Sequence, residues 1–121
     1  MTRFVGWTAS LAWMLLVGSP AVFAHAMLVH SSPADHSVVH SGHVDIVLDY
    51  DSRIETSRST VKLTDAGGTP LPLQIEHSGR ASELNAVAHG LPNGKYQIDW
   101  QVLASDGHIT RGDVAFTVAA Q

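Results

Sequence analysis

Two short stretches near opposite ends of the chain carry side chains that could hold a metal ion. One is A-H-A-M at 24–27, and the other is D-G-H at 106–108. A histidine that begins a chain offers its α-amine beside its imidazole, and the two nitrogens close a six-membered chelate ring on one ion. The α-amine has an ordinary pKa of about 7.7–8.0, so a metal can displace its proton near neutral pH. Such a bite favours a tetragonal ion, and Cu²⁺ is the divalent ion that binds nitrogen most tightly.

The D-G-H stretch supplies the donor types that a terminal histidine leaves missing. Asp106 offers a carboxylate and His108 an imidazole, and residues two apart in an extended segment face the same side. Together with the amine and Nδ1 of His25, they make three nitrogens and one oxygen, a set that suits Cu(II). The competing interpretation is a plain surface turn, because Asp-Gly is a common turn dipeptide and a histidine after it needs no ligand.

The first 24 residues predict that His25 becomes the N-terminus. Arg3 gives a positive start, residues 4–17 are largely apolar, and V-F-A at 22–24 suits a signal peptidase that cuts before residue 25. The apolar run is shorter than the roughly 20 residues that span a bilayer. We therefore expect a secretory signal peptide at 1–24 and an exported domain at 25–121 that is not embedded in a membrane.

Short segments with alternating apolar and polar residues dominate the exported part. The clearest are 44–50, 59–64, 96–102 and 113–118, and weaker ones lie at 27–31, 71–76 and 83–88. A period of two indicates strands with one buried face, and D-A-G-G-T-P and P-N-G-K are turn sequences. About seven short strands without a helical segment predict an all-β fold, an immunoglobulin-like antiparallel sandwich or Greek-key barrel. Trp100 and Phe116 should lie in its core, and we expect 31–43 and 51–58 to be loops.

The composition excludes several classes of partner and site. The chain has 121 residues, a formal net charge of −4 and no cysteine. A nucleic-acid partner would require a basic face, so the negative net charge argues against one. Without thiolates, any metal chemistry must use nitrogen and oxygen ligands, and the eight histidines make such chemistry feasible.

Both ends of the exported part resemble a known family. H-A-M-L-V-H-S-S-P-A-D at 25–35 is similar to the processed start of the CopC family of periplasmic copper-resistance proteins, which begins His-Ala and continues to an S-x-P-A element. W-Q-V-L-A-S-D-G-H-I-T-R-G-D-V-A-F-T-V at 100–118 resembles the closing segment of that family, with its D-G-H and G-x-x-x-F-x-V. The resemblance covers 25–119 and is looser in the middle.

The resemblance implies a seven-stranded sandwich or barrel that binds Cu(II) through His25, Asp106 and His108. It also implies a periplasmic copper carrier or buffer, not an enzyme, which passes copper to an inner-membrane transporter or to another periplasmic copper protein. We expect a monomer.

Two departures from the family pattern affect the expected ligands. Members often carry F-S-E-P after the second strand, whereas this chain has Y-D-S-R at 50–53, so Ser52 replaces the glutamate. Asp51 or Glu55 could supply that oxygen instead. Some members also have a methionine-rich Cu(I) site, but Met27 is the one methionine after residue 24. One thioether is too few for a soft Cu(I) site, so the sequence predicts a Cu(II)-only protein.

Six further histidines lie outside the expected copper site, and two other classes of function remain open. The favoured interpretation of these histidines is a solvated surface, although His40 and His43 could chelate a metal weakly. One rival function is a copper-dependent oxygenase, because an N-terminal histidine chelate also occurs in such enzymes. The other is an immunoglobulin-like interaction module that binds no metal. The six histidines are His30, His36, His40, His43, His77 and His89.

Overall fold

The computed structural model describes residues 25–120, and the predicted signal peptide lies outside the described residues. Short antiparallel segments follow one another along this part of the chain, with one 3-10 turn at Thr56–Arg58. The strands are β1 Leu28–Ser32, β2 Ser37–Val39, β3 Val44–Tyr50, β4 Thr60–Asp65, β5 Pro70–Leu71, β6 Gln74–Glu76, β7 Glu83–Ala88, β8 Gly94–Leu103 and β9 Ile109–Val118. Among residues 25–120, no helix is long and apolar enough to cross a membrane.

The strands form two sheets that face each other. One has the order β1-β3-β7-β6, and the other has the order β2-β9-β8-β4-β5. All neighbouring strands are antiparallel except β2, which runs parallel to β9. The predicted all-β, immunoglobulin-like sandwich is confirmed.

The alternation of residue types accounts for the core between the sheets. In β3 the side chains of Val44, Ile46, Leu48 and Tyr50 are buried, whereas Asp45 is exposed. Strands β8 and β9 repeat the pattern, and Phe116 is 1% exposed and Trp100 8% exposed, as predicted. Burial of such apolar area is the main favourable term in folding, so this core holds together the strands on which the candidate site lies.

Two of the sequence predictions about strands were wrong. β2 lies inside 31–43, which was expected to be loop, because a three-residue edge strand is too short to show alternation. The segment 71–76 was expected to be one strand, but it divides into β5 and β6 on different sheets. Pro72 stands at the division, and proline cannot donate a hydrogen bond to a sheet ladder.

Candidate metal centre

A tight turn between β8 and β9 carries the D-G-H stretch. The backbone N–H of Gly107 donates to the carbonyl of Ala104 at 2.9 Å, and the N–H of Ala104 donates to the carbonyl of His108 at 2.8 Å. Gly107 has a φ of +90°, which a residue with a side chain rarely adopts. The turn therefore fixes the 106–108 backbone at one end of the longest hairpin of the fold.

Asp106 and His108 form a closely paired unit on this turn. Oδ1 of Asp106 accepts the backbone N–H of His108 at 3.0 Å, and Oδ2 lies 3.1 Å from Nδ1 of the same imidazole. The backbone N–H of His108 is the main reason that the pKa of Asp106 is lowered, and the imidazole side chain adds to the effect. Asp106 is therefore a carboxylate at neutral pH, available to orient His108 or to bind a cation.

Three hydrogen bonds hold the start of the domain against this end of the sandwich. The hydroxyl of Thr110, in β9, donates to the carbonyl of Ala26 at 2.7 Å. The N–H of Met27 donates to Oδ1 of Asp51 at 2.8 Å, and the N–H of Asp51 donates to the carbonyl of Met27 at 2.9 Å. Ala26 itself is completely buried. The residue before it, His25, is thereby positioned beside the β8–β9 turn.

His25 and His108 are in direct ring contact. Their ring centroids lie 4.9 Å apart, with the planes at 76°. The structure thus brings together His25, Asp106 and His108, which are separated by about eighty residues in the sequence. Among residues 25–120, no three histidine, cysteine, aspartate or glutamate side chains already surround one point. In the 121-residue chain the nitrogen of His25 is an amide, so its amine donor exists only after cleavage.

The loop after β3 offers an oxygen close to this end of the domain. Asp51, one of the two residues considered as a substitute for the family glutamate, contacts Met27 as described above. The backbone N–H of Glu55, the other residue considered, donates to the carbonyl of Leu103 at 2.8 Å. Ser52, at the position of the glutamate, has a buried hydroxyl without a hydrogen-bond partner in 25–120. Of these residues, Asp51 is hydrogen-bonded directly to the segment that carries His25.

The other histidines are not part of this centre. Nδ1 of His40 lies 3.0 Å from the carbonyl of Ala119, and His36 contacts Asp35. His43, considered with His40 as a weak chelator, contacts His89, with 3.1 Å between their Nδ1 atoms. This pair was not predicted from the sequence. Val44 of β3 lies opposite Ala88 of β7 at the end of their ladder, so His43 and His89 occupy the next pair of opposed positions.

Comparison with known proteins identifies the family. Residues 28–119 match the model of the CopC domain. The chain belongs to the CopC family. Protein YobA of Escherichia coli strain K12 is 32% identical over 103 residues, which cover 83% of each chain. Copper resistance protein C of Xanthomonas campestris pv. juglandis is 29% identical over 113 residues, covering 84% of this chain and 86% of that protein. The family resemblance predicted from the two end motifs is therefore confirmed.

Solved structures agree with this assignment. CopC from Methylosinus trichosporium OB3b has a TM-score of 0.75 at 28% identity, and the match covers 80% of this chain and 96% of that one. PcoC, a methionine-rich copper resistance protein from Escherichia coli, has a TM-score of 0.68 at 27% identity, with coverage of 79% and 100%. The described domain therefore corresponds to nearly the whole of each of these structures.

Proposed function

We propose that this CopC-family chain is an exported Cu(II)-binding protein that carries or buffers copper in the periplasm. The observation that carries the proposal is the 4.9 Å contact between the rings of His25 and His108. The second histidine is paired with a carboxylate, and the first becomes a chelating terminus if the signal peptide is removed before it.

In the proposed site, each residue supplies a donor of the type that Cu(II) prefers. The amine and Nδ1 of His25 provide two nitrogens, His108 provides a third, and Asp106 provides an oxygen. Oδ2 of Asp106 already lies 3.1 Å from Nδ1 of His108. In the alternative arrangement, that contact persists, His108 binds copper through Nε2 and Asp106 orients its ring without binding the ion, as carboxylates do in many metal sites. If copper displaces the contact, Asp106 is a direct ligand.

The oxidation state follows from the lack of soft ligands. The chain has three methionines and no cysteine, and Met27 is the sole methionine within 25–120, where it is 62% exposed. Cu(I) selects thioether and thiolate sulfur, whereas imidazole, amine and carboxylate donors suit Cu(II). The methionine-rich description of PcoC therefore does not extend to this chain, and we propose that it handles Cu(II) alone.

The names of two relatives support a role in copper handling. One is named copper resistance protein C. Another is named copper transport protein CutJ, from Bacillus subtilis strain 168, and is 23% identical over 121 residues that make up 22% of its length. We propose that this chain passes copper to a membrane transporter or to another periplasmic copper protein. A plane completed by Asp106 would leave less room for the oxygen that an oxygenase must bind.

The proposal is tested by the intact mass of the exported protein with and without Cu²⁺. We expect a mass that starts at His25 and an increase of one copper at the first equivalent. His108→Ala should abolish this tight equivalent, whereas the matched control His77→Ala should retain it, because His77 lies in the loop between β6 and β7. A different N-terminus, or tight copper binding that survives His108→Ala, would contradict the proposal.

A further inference from the structure

A second pair of histidines lies at the other end of β3 from the candidate copper centre. His43 immediately precedes β3, and Asp51, which contacts the segment that carries His25, immediately follows it. The seven residues of β3, at a rise of 3.2–3.4 Å each, separate the strand ends by about 20 Å. The two histidine pairs therefore cannot share one ion.

The strand register brings His43 and His89 together. β3 pairs with β7 so that Val44 lies opposite Ala88, and the two histidines occupy the next position of that ladder. Their Nδ1 atoms are 3.1 Å apart, and their ring centroids are 4.8 Å apart at 56°. The pair is exposed, so an ion can reach it directly from solvent.

The outer nitrogens of both rings face oxygen acceptors. Nε2 of His43 lies 3.3 Å from Oδ1 of Asp45, and Nε2 of His89 lies 3.4 Å from Oε1 of Gln74. A carboxylate accepts hydrogen bonds and donates none, so the contact with Asp45 places the N–H of a neutral His43 ring on Nε2, whereas the Gln74 amide can either accept from His89 or donate to it. Metal-binding histidines are commonly held in this way, with the second nitrogen donating to a carboxylate or carbonyl.

With its N–H turned toward Asp45, His43 presents the lone pair of Nδ1 to Nδ1 of His89. The two Nδ1 atoms can then be joined in two ways: His89 donates an N–H from Nδ1 to His43, or its N–H lies on Nε2 and a cation bridges both lone pairs. Two nitrogens each at about 2.0–2.1 Å from one ion stand about 2.9 Å apart at a right angle and about 3.3 Å apart at the tetrahedral angle. The observed 3.1 Å lies between these values.

We propose that His43 and His89 form a second, weaker Cu²⁺ site, with Asp45 and Gln74 as positioning residues. Cu²⁺ is the expected ion because it binds imidazole more tightly than the other common divalent metals, including Zn²⁺. In the described part of the chain no third histidine, cysteine or carboxylate completes a cluster. Water must therefore fill the remaining positions, which makes this site weaker than the first. It would take up copper when the first site is full.

The test is a Cu²⁺ titration of the exported protein followed by native mass and by NMR of the imidazole signals. We expect the second equivalent to broaden the signals of His43 and His89 before those of the other exposed histidines. His43→Ala and His89→Ala should each abolish this equivalent, and His77→Ala should leave it intact as the matched control. Asp45→Asn should weaken it by about 10- to 100-fold, because the oriented carboxylate is lost. Thermal unfolding of each variant verifies that the fold is retained.

Several outcomes would overturn the second site. These are the absence of a second equivalent, its survival in both alanine variants, or tighter binding of Zn²⁺ than of Cu²⁺ at these histidines. Absence of binding would mean that only a hydrogen bond or a shared proton joins the two rings. The two proposals fail separately, since His108→Ala should remove the first equivalent and leave the second. If His108→Ala leaves both equivalents in place while His43→Ala removes one of them, the second site stands without the first.

Discussion

Replacement of Thr110 by valine should weaken copper binding although Thr110 is not a proposed ligand. Its hydroxyl donates a 2.7 Å hydrogen bond to the carbonyl of the buried residue Ala26, which adjoins His25. Valine has nearly the same shape but cannot donate. A buried acceptor left without its donor costs about 1–3 kcal/mol, which corresponds to about a 5- to 150-fold change in an equilibrium. The released segment can regain hydrogen bonds from water, so we expect a loss of copper affinity near the lower limit of this range, about fivefold to tenfold.

Competition with a chelator of known copper affinity measures this effect on exported protein that starts at His25. Thr110→Ser is the matched control, because it retains the hydroxyl and should bind copper nearly as wild type does. The electron paramagnetic resonance spectrum at saturation should be unchanged in Thr110→Val, since the ligands are the same. Unchanged affinity in Thr110→Val would refute the argument that this hydrogen bond positions the site. A changed spectrum would show that the substitution alters the ligand set itself.

Three other substitutions test the site and its supporting core. Asp106→Asn should weaken copper binding by about 10- to 100-fold, and its resonance spectrum should shift if the carboxylate is a direct ligand. Gly112→Ala should destabilise the fold by about 1–3 kcal/mol in urea unfolding, because a Cβ there would meet the Trp100 ring at 2.4 Å; an unchanged midpoint would contradict this packing. Burial raises the pKa of Tyr50, because the folded protein disfavours the charged phenolate. Above about pH 10 the unfolded chain loses this proton more readily than the folded protein does, so the free energy of unfolding falls as pH rises; below that pH this effect is absent. Tyr50→Phe should therefore lose less stability between pH 8 and 11 than wild type, and equal losses would refute the assignment.

Strands with one buried face were predictable because the period of two is visible in their sequence. The burial of β3 alternates over its whole length and that of β8 from Tyr96 onward, and their inward side chains form the core. β2 could not be found in the same way, since a three-residue strand on a sheet edge is held by its partner and not by its own pattern. The division between β5 and β6 had a signal in Pro72, which the apolar residues around it obscured.

The donor types of the candidate copper site were predictable from the sequence, but the contact between the residues that carry them was not. The prospective terminus at His25 and the D-G-H turn indicate ligands from local sequence alone. Their contact depends on long-range hydrogen bonds such as that of Thr110 to Ala26, across 84 residues. The pair of His43 and His89 depends in the same way on the β3–β7 register, which no local pattern specifies.

The most direct test of the central claim is copper affinity with and without an acetyl group on the α-amine of His25. Acetylation converts the terminal amine into an amide, introduces no new amine that could chelate copper, and leaves every side chain of the domain in place. We expect one tightly bound Cu²⁺ with a nitrogen-rich tetragonal spectrum for the free protein that starts at His25. We expect a loss of at least about 100-fold for the acetylated protein, more than the loss of an outer-sphere partner causes. Equal affinity and identical spectra for the two proteins would contradict the proposed terminal chelate.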